Sequence, residues 1–419
     1  MSSYFSYPVA QSLYGATNDM PGYPDPIGTE PIRARPCPDL KYGSEICAQH
    51  VFGDFSYLFQ LVQTKIPWAE AGENTNSALP TFLAWSLFHL THSYWISLCI
   101  YFAITLVFFL YPIIKISKLL DHRVSFVVLL ISCWSFVYVF DRGNTVGLIF
   151  TPLWMTYEGF RSNSNPKSVI GLTLCLLIRI HLVLLLIPFL VHRRFRTVGA
   201  SLFASISLNL ILLRVMTPYV WQNLQGFLGD LVGIAKLGES GPAWPDYYRN
   251  ISLGGFVGSV IETTQNAIGK PHVIEVLIQD WWSPLLPAII GLAVALPLAC
   301  RRRAPNWTIF AGAVLPFLLS SPRAHGYSAI VIVHLFLIVV NEGVEVSFRD
   351  HRSKNNFLLA FLVCQSQSFY IPMPVDPRVG QPIGMKSFSV PIALFILLFT
   401  AYRCRPKISS QVDDSSPAR

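Results

Sequence analysis

Residues 176–196 read LLIRIHLVLLLIPFLVHRRFR, an apolar run broken by Arg179 and His181 and closed by a basic cluster. A helix that crosses a hydrocarbon core needs about 17 to 25 mostly apolar residues, and cationic clusters beside such runs mark the cytoplasmic side. Working outward, similar windows recur from about residue 79 to 402, with further basic clusters at 301–303, 349–354 and 403–407. The composition agrees: 52% of residues are apolar and 13% are charged, with a mean hydropathy of +0.47. An ordinary soluble domain carries about 25% charged residues. The composition argues against a soluble globule, and the expected fold is all-α, a polytopic transmembrane helical bundle of about 10 spans. The net charge of +8 sits in clusters flanking apolar windows, which is a topology signal and not a nucleic-acid surface.

Three regions are expected: an outer N-terminal segment 1–77, a transmembrane domain 78–403 that includes an outer loop 217–283, and a cytoplasmic tail 404–419. With the basic clusters inside, later spans fall at about 198–216, 284–300, 306–320, 327–341, 356–371 and 388–402. The first half admits two threadings. In one, 168–191 is a pair of half-helices meeting at Arg179, which puts Lys115–Arg123 and Arg161–Lys167 inside and makes 79–114 a single crossing with a shallow lead-in helix. In the other, 168–191 is one crossing and those basic groups lie outside. Both leave 1–77, 217–283 and 320–326 on the same outer side. Residues 1–77 show neither a signal peptide nor a first span, so either the first span translocates them or a helix is missing ahead of the deduced start.

Ionisable groups inside spans cost about 2.5 to 3.5 kcal/mol each and call for a partner or a role. Arg179 meets either an interhelical carboxylate or a lipid phosphate, and His181, two residues on, points away from it on a helix. Asp141-Arg142-Gly143-Asn144 reads as a tight hairpin between spans. The segment 321–327, SPRAHGY, offers Arg323, His325 and Tyr327 at the outer surface, either to a phosphate or as an interfacial anchor. Asp54, in Gly53-Asp54-Phe55, is a carboxylate near the membrane surface, either a helix cap or a catalytic base. The outer loop adds Arg249 and Asn250, the latter in an Asn-Ile-Ser sequon.

Cys99, Cys133, Cys175 and Cys364 lie in apolar windows and read as packing, while Cys37 and Cys47 are candidates for a disulfide. No phosphate-binding loop, HExxH, GxSxG or Cys/His metal spacing is present, and no metal or cofactor is expected.

The order of these segments is similar to that of the family 87 glycosyltransferases, the GT-C-type polyprenyl-phosphate-mannose-dependent mannosyltransferases. The likeness covers roughly residues 50–340 and rests on GDF followed by IPW and ALP, the RGN turn, IRIHL followed by HRRFR, and NISLGG followed by SPRAHGY. The resemblance implies a GT-C bundle in which Asp54 is the base, and its lysine-proline inside a span looks like Arg179-Ile180, with the charge kept and the proline lost. Where members show Ser-Pro followed by Trp and His residues, this chain has Arg323, His325 and Tyr327, and a family histidine matches His325 only with a shift of register. The implied activity is inverting transfer of a hexose, mannose by the resemblance, from a polyprenyl-phosphate sugar donor to a lipid or glycan acceptor on the extracytoplasmic face of the plasma membrane. Arg323, with His325 or Arg249, would hold the donor phosphate, and Tyr327, Asn250, Arg179, His181 and Asn144 complete the candidate substrate site. The alternative class is a polytopic transporter or lipid flippase; no clear internal repeat supports it.

Overall fold

The computed structural model describes Phe55, Leu58, Phe59 and Val62, then residues 77–236, 285–319, 329–343, 347–348, 350–366, 370–371, 386–387 and 389–404. Among these the fold is all-helical apart from one pair of two-residue strands.

The first half begins with α1 (Ala78–Thr91) and α2 (Tyr94–Ser117), separated by His92 in a left-handed conformation, φ 49°. Residues 79–114 are thus a short lead-in helix followed by a long one. Then come α3 (Arg123–Ile131), α4 (Trp134–Arg142), a 3-10 turn (Thr145–Ile149), α5 (Phe150–Arg161) and α6 (Asn165–Ile178). A second 3-10 run (Ile180–Leu185) leads into α7 (Leu186–Val191) and α8 (Phe195–Met216).

The second half contains α9 (Val220–Lys236), α10 (Leu285–Ala299), α11 (Asn306–Leu319), α12 (Ile330–Glu342), α13 (His351–Ser366), strands β1 (Tyr370–Ile371) and β2 (Lys386–Ser387), and α14 (Ser389–Arg403). The strands pair antiparallel, Tyr370 opposite Ser387. Apolar runs bounded by basic clusters located α8 and α10–α14 in the sequence, with two departures. The expected loop 217–283 opens with the helix α9, and the expected span 356–371 lies five residues earlier, as α13. Its start is fixed by Asp350, whose carboxylate accepts the Ser353 N–H at 2.7 Å and the Ser353 hydroxyl at 2.9 Å, a cap for the orphan donors of the first turn.

All the described basic clusters gather at one end of the bundle. Lys115 and Lys167 both pair with Glu158, the latter at 3.3 Å. The Arg194 guanidinium donates to the carbonyls of Gly159 and Phe160 at 3.1 and 2.8 Å. Arg302 Nε donates to the Val191 carbonyl at 3.1 Å, and Arg301 to those of Ala401 and Tyr402 at 3.3 and 3.2 Å. Lys115, Lys167, Arg194, Arg302 and Arg301 therefore share a level. This is the first of the two threadings, in which α6 leaves the basic end and the 180–191 segment returns to it.

Close backbone approach makes the α5–α6 hairpin possible. A Cβ on Gly171 would lie 2.5 Å from the Thr156 nitrogen, and one on Gly159 would lie 2.5 Å from the Ser168 nitrogen. Only hydrogen fits at either position.

Among the described residues two helices, α2 and α8, are long and apolar enough to cross a membrane, and 39% and 22% of their apolar windows are buried. A core helix of a soluble protein would bury most of its surface. Here Val107 on α2 and Phe203, Ile206 and Ile211 on α8 are 64%, 75%, 60% and 55% exposed. Bare apolar area of this kind marks a surface that meets lipid or another apolar partner.

Candidate functional site

Arg179 sits where α6 stops. Its backbone is extended, with φ −146° and ψ 110°, and the chain resumes as a 3-10 run when the Leu182 N–H bonds the Arg179 carbonyl at 3.1 Å. Pro188 explains why that run is not α-helical: it has no N–H, and its ring conflicts with the carbonyl four residues back, at Leu184. The break leaves Arg179 well inside the bundle. From Glu158 at the basic end to Thr145, the rise along α5 and the preceding 3-10 turn comes to about 20 Å.

The partners of Arg179 are supplied by the turn after α4. Gly143 ends that helix at φ 62°, in the left-handed region that favours glycine. Asn144 then caps the 3-10 helix, its Oδ1 accepting from the Val146 N–H at 2.8 Å, and the same oxygen accepts from Arg179 Nη2 at 3.3 Å. The Thr145 hydroxyl accepts from Nη2 at 2.9 Å. Asn144 and Thr145 are both buried. The turn read at Gly143-Asn144 is therefore present, and the two side chains after the glycine hold the arginine. Of the two partners weighed for Arg179, a carboxylate and a lipid phosphate, neither is among the contacts of the described residues, which are the neutral Asn144 and Thr145. An extended backbone turns the side chain out of the α6 register and towards the adjacent turn. Arg179 Nε is buried without a hydrogen-bond partner among the described residues. His181, partly buried, lies in the first turn of the following 3-10 run.

This level of the bundle lies close to the N-terminal segment. A Cβ on Gly147 would lie 2.7 Å from the Thr105 methyl, so the 3-10 turn rests on α2 at Thr105. One helical turn farther from the basic end, Tyr101 meets Phe55 with ring centroids 4.8 Å apart. Phe55 also lies 5.8 Å from Tyr94, and Phe59 5.4 Å from Tyr94, each measured between ring centroids. Asp54 itself, and Arg249, Asn250, Arg323, His325 and Tyr327, lie outside the described residues. The structure thus brings Asn144 and Arg179 into contact, with His181 two residues beyond, and leaves the other six untested.

Sequence reasoning missed three features. Thr145 follows the motif that was read and needed only the hairpin geometry to be noticed. His334 is fully buried on α12, its ring centroid 6.1, 6.2 and 6.4 Å from those of Phe150, Trp154 and Phe310. A lone histidine in IVIVHLFLIVV was the available signal. At the basic end, Asn341 donates to the Tyr157 hydroxyl at 2.9 Å, and that hydroxyl donates to Glu342 at 3.3 Å, with Asn306 also bonded to Glu342. The polar Asn341-Glu342 pair closing an apolar helix was legible; its partners 36 and 185 residues away were not.

Among the described residues no group of three His, Cys, Asp or Glu side chains could hold a metal ion. Comparison with protein families, curated proteins and solved structures returned no match.

Proposed function

We propose that this chain is a polytopic membrane glycosyltransferase of GT-C type that moves a hexose from a polyprenyl-phosphate donor to a lipid or glycan acceptor on the face opposite the basic end. The observation that carries the reading is Arg179: a cation about 20 Å from the basic end, at a chain break, whose partners among the described residues are neutral and leave Nε without a hydrogen bond. A guanidinium so placed keeps its charge and donor capacity for an anion. Two further features support the proposal. The exposed apolar faces of α2 and α8 suit lipid contact, and the shared basic end suits positive-inside orientation.

In this mechanism Asp54 takes the proton of the acceptor hydroxyl as the new glycosidic bond forms. The bond from the anomeric carbon to the phosphate oxygen breaks on the opposite face, so the anomeric centre inverts. The departing phosphate leaves with the electron pair and meets Arg323, helped by His325 or Arg249, with Arg179 adding positive potential from the interior. Phe55, next in sequence to Asp54, is fully buried against α2 one turn beyond the Thr145 level, which suits a carboxylate acting near this region. Mannose comes from the family resemblance alone.

The test is transfer of labelled hexose from polyprenyl-phosphate hexose by the protein in membranes, compared with Asp54→Asn at equal protein level. Loss of transfer is expected; full activity in the variant would sink the assignment of the base. One feature favours the transporter alternative, since a helix broken at an ionisable residue also occurs in transporters. Accumulation of the lipid-linked sugar inside vesicles with no glycosylated product would support that alternative instead.

A further inference from the structure

We propose that His192, Arg193, Arg196 and Arg302 form a binding site for the phosphate of an anionic phospholipid headgroup at the basic end of the bundle. The proposal rests on the membrane embedding above but not on the catalytic reading. The clusters HRRFR (192–196) and RRR (301–303) are distant in sequence and are tied together by the bond from Arg302 Nε to the Val191 carbonyl, 3.1 Å. Two arginines here are already engaged. Arg194 bonds two carbonyls and lies 5.1 and 5.7 Å from the Phe160 and Phe189 ring centroids, and Arg301 bonds the carbonyls of Ala401 and Tyr402. Arg193, Arg196 and Arg302 are exposed. Among the described residues no carboxylate pairs with any of them; the two ion pairs found both belong to Glu158.

Among the described residues positive charge is therefore concentrated here without a carboxylate partner. His192 registers it: burial first, then Arg194 and Arg302, hold its imidazole below the usual value. Its Nε2 is buried with no hydrogen-bond partner among the described residues. Arg193 occupies the left-handed region at φ 59°, where a side chain costs about 1 kcal/mol and glycine is the usual choice after a helix. The strained position thus carries a cation. The rim indicates the source of the anion, because Leu190 and Phe195 beside the cluster are 42% and 63% exposed. A phosphate with acyl chains satisfies both the arginines and this apolar rim, whereas a free phosphate satisfies only the first.

The experiment uses the full chain in nanodiscs of phosphatidylcholine doped with phosphatidylglycerol, with bound phosphatidylglycerol measured by native mass spectrometry. Arg193→Gly and Arg196→Gln are each expected to weaken its binding about fivefold. Lys118→Gln, an exposed cation at the same end, should leave binding unchanged. Arg193→Gly should also raise the thermal midpoint, because it relieves the backbone, and so separates lost binding from lost fold. Equal loss in Lys118→Gln would reduce the site to a diffuse field and overturn the proposal. Unchanged retention in both arginine variants would overturn it too. A third overturning result is displacement of phosphatidylglycerol by inorganic phosphate at equal concentration, which would make the ligand a free anion.

Discussion

The basic end and the Arg179 level treat arginine in opposite ways. At the basic end, Arg194 is spent on two carbonyls and two aromatic faces, and Arg301 closes the last turn of α14. Deep in the bundle, Arg179 has one nitrogen shared between an amide oxygen and a hydroxyl, and a second nitrogen with no partner among the described residues. Saturated arginines act as clamps between helices. An unsaturated one, in a setting where charge is costly, keeps its capacity for a ligand.

Exchange of charge for shape is the sharpest way to break this comparison. Arg179→Gln is expected to lower hexose transfer about 10²- to 10³-fold, with the thermal midpoint little changed. Unfolding without separate loss of transfer would make Arg179 a clamp like the others. Arg194→Gln should do the reverse and destabilise the protein by about 2 kcal/mol, since it removes charge-assisted bonds to two carbonyls. Denaturant unfolding measures that loss, and transfer per folded molecule should persist. Thr145→Val removes one acceptor from Arg179 and should cost about 1 kcal/mol, with a smaller fall in transfer than Arg179→Gln; a larger fall would mean that the turn, and not the charge, organises the site.

The smallest effect belongs to the cap at Asp350. The Ser353 backbone N–H and then its hydroxyl hold this carboxyl below the usual carboxylate value of 3.8, so the folded state favours the ionised form. The stabilisation is present above that value and is lost as pH falls below it. Amide exchange in the first turn of α13 should therefore speed up on acidification, and Asp350→Ala should remove the pH dependence.

What the sequence revealed follows the same division. Apolar runs closed by basic clusters locate α8 and α10–α14 because lipid and water impose a one-dimensional pattern. The break at Arg179 was legible as one of two threadings, a pair of half-helices meeting there; the partners that hold the arginine, Asn144 and Thr145, 35 and 34 residues earlier, were not. The α9 helix was hidden by its mixed composition, VWQNLQGFLGDLVGIAK, which lacks the unbroken apolar run of a span. Of the candidate site, Asn144 and Arg179 were visible as residues out of place, but their contact depends on tertiary structure.

The segment between Asn163 and Arg193, whose end residues both take left-handed turns at φ 57° and 59°, enters the bundle and leaves by the same face. Under the proposed membrane reading it adds no net crossing. Excision of residues 165–191 would leave the orientation of α8 and everything after it as it was. Reporters fused after Asn163 and after Arg193 should read the same compartment, so the machinery that inserts the chain has no need to register the intervening hairpin as a passage. In that reading Arg179 is carried by a stretch of chain that topology could do without.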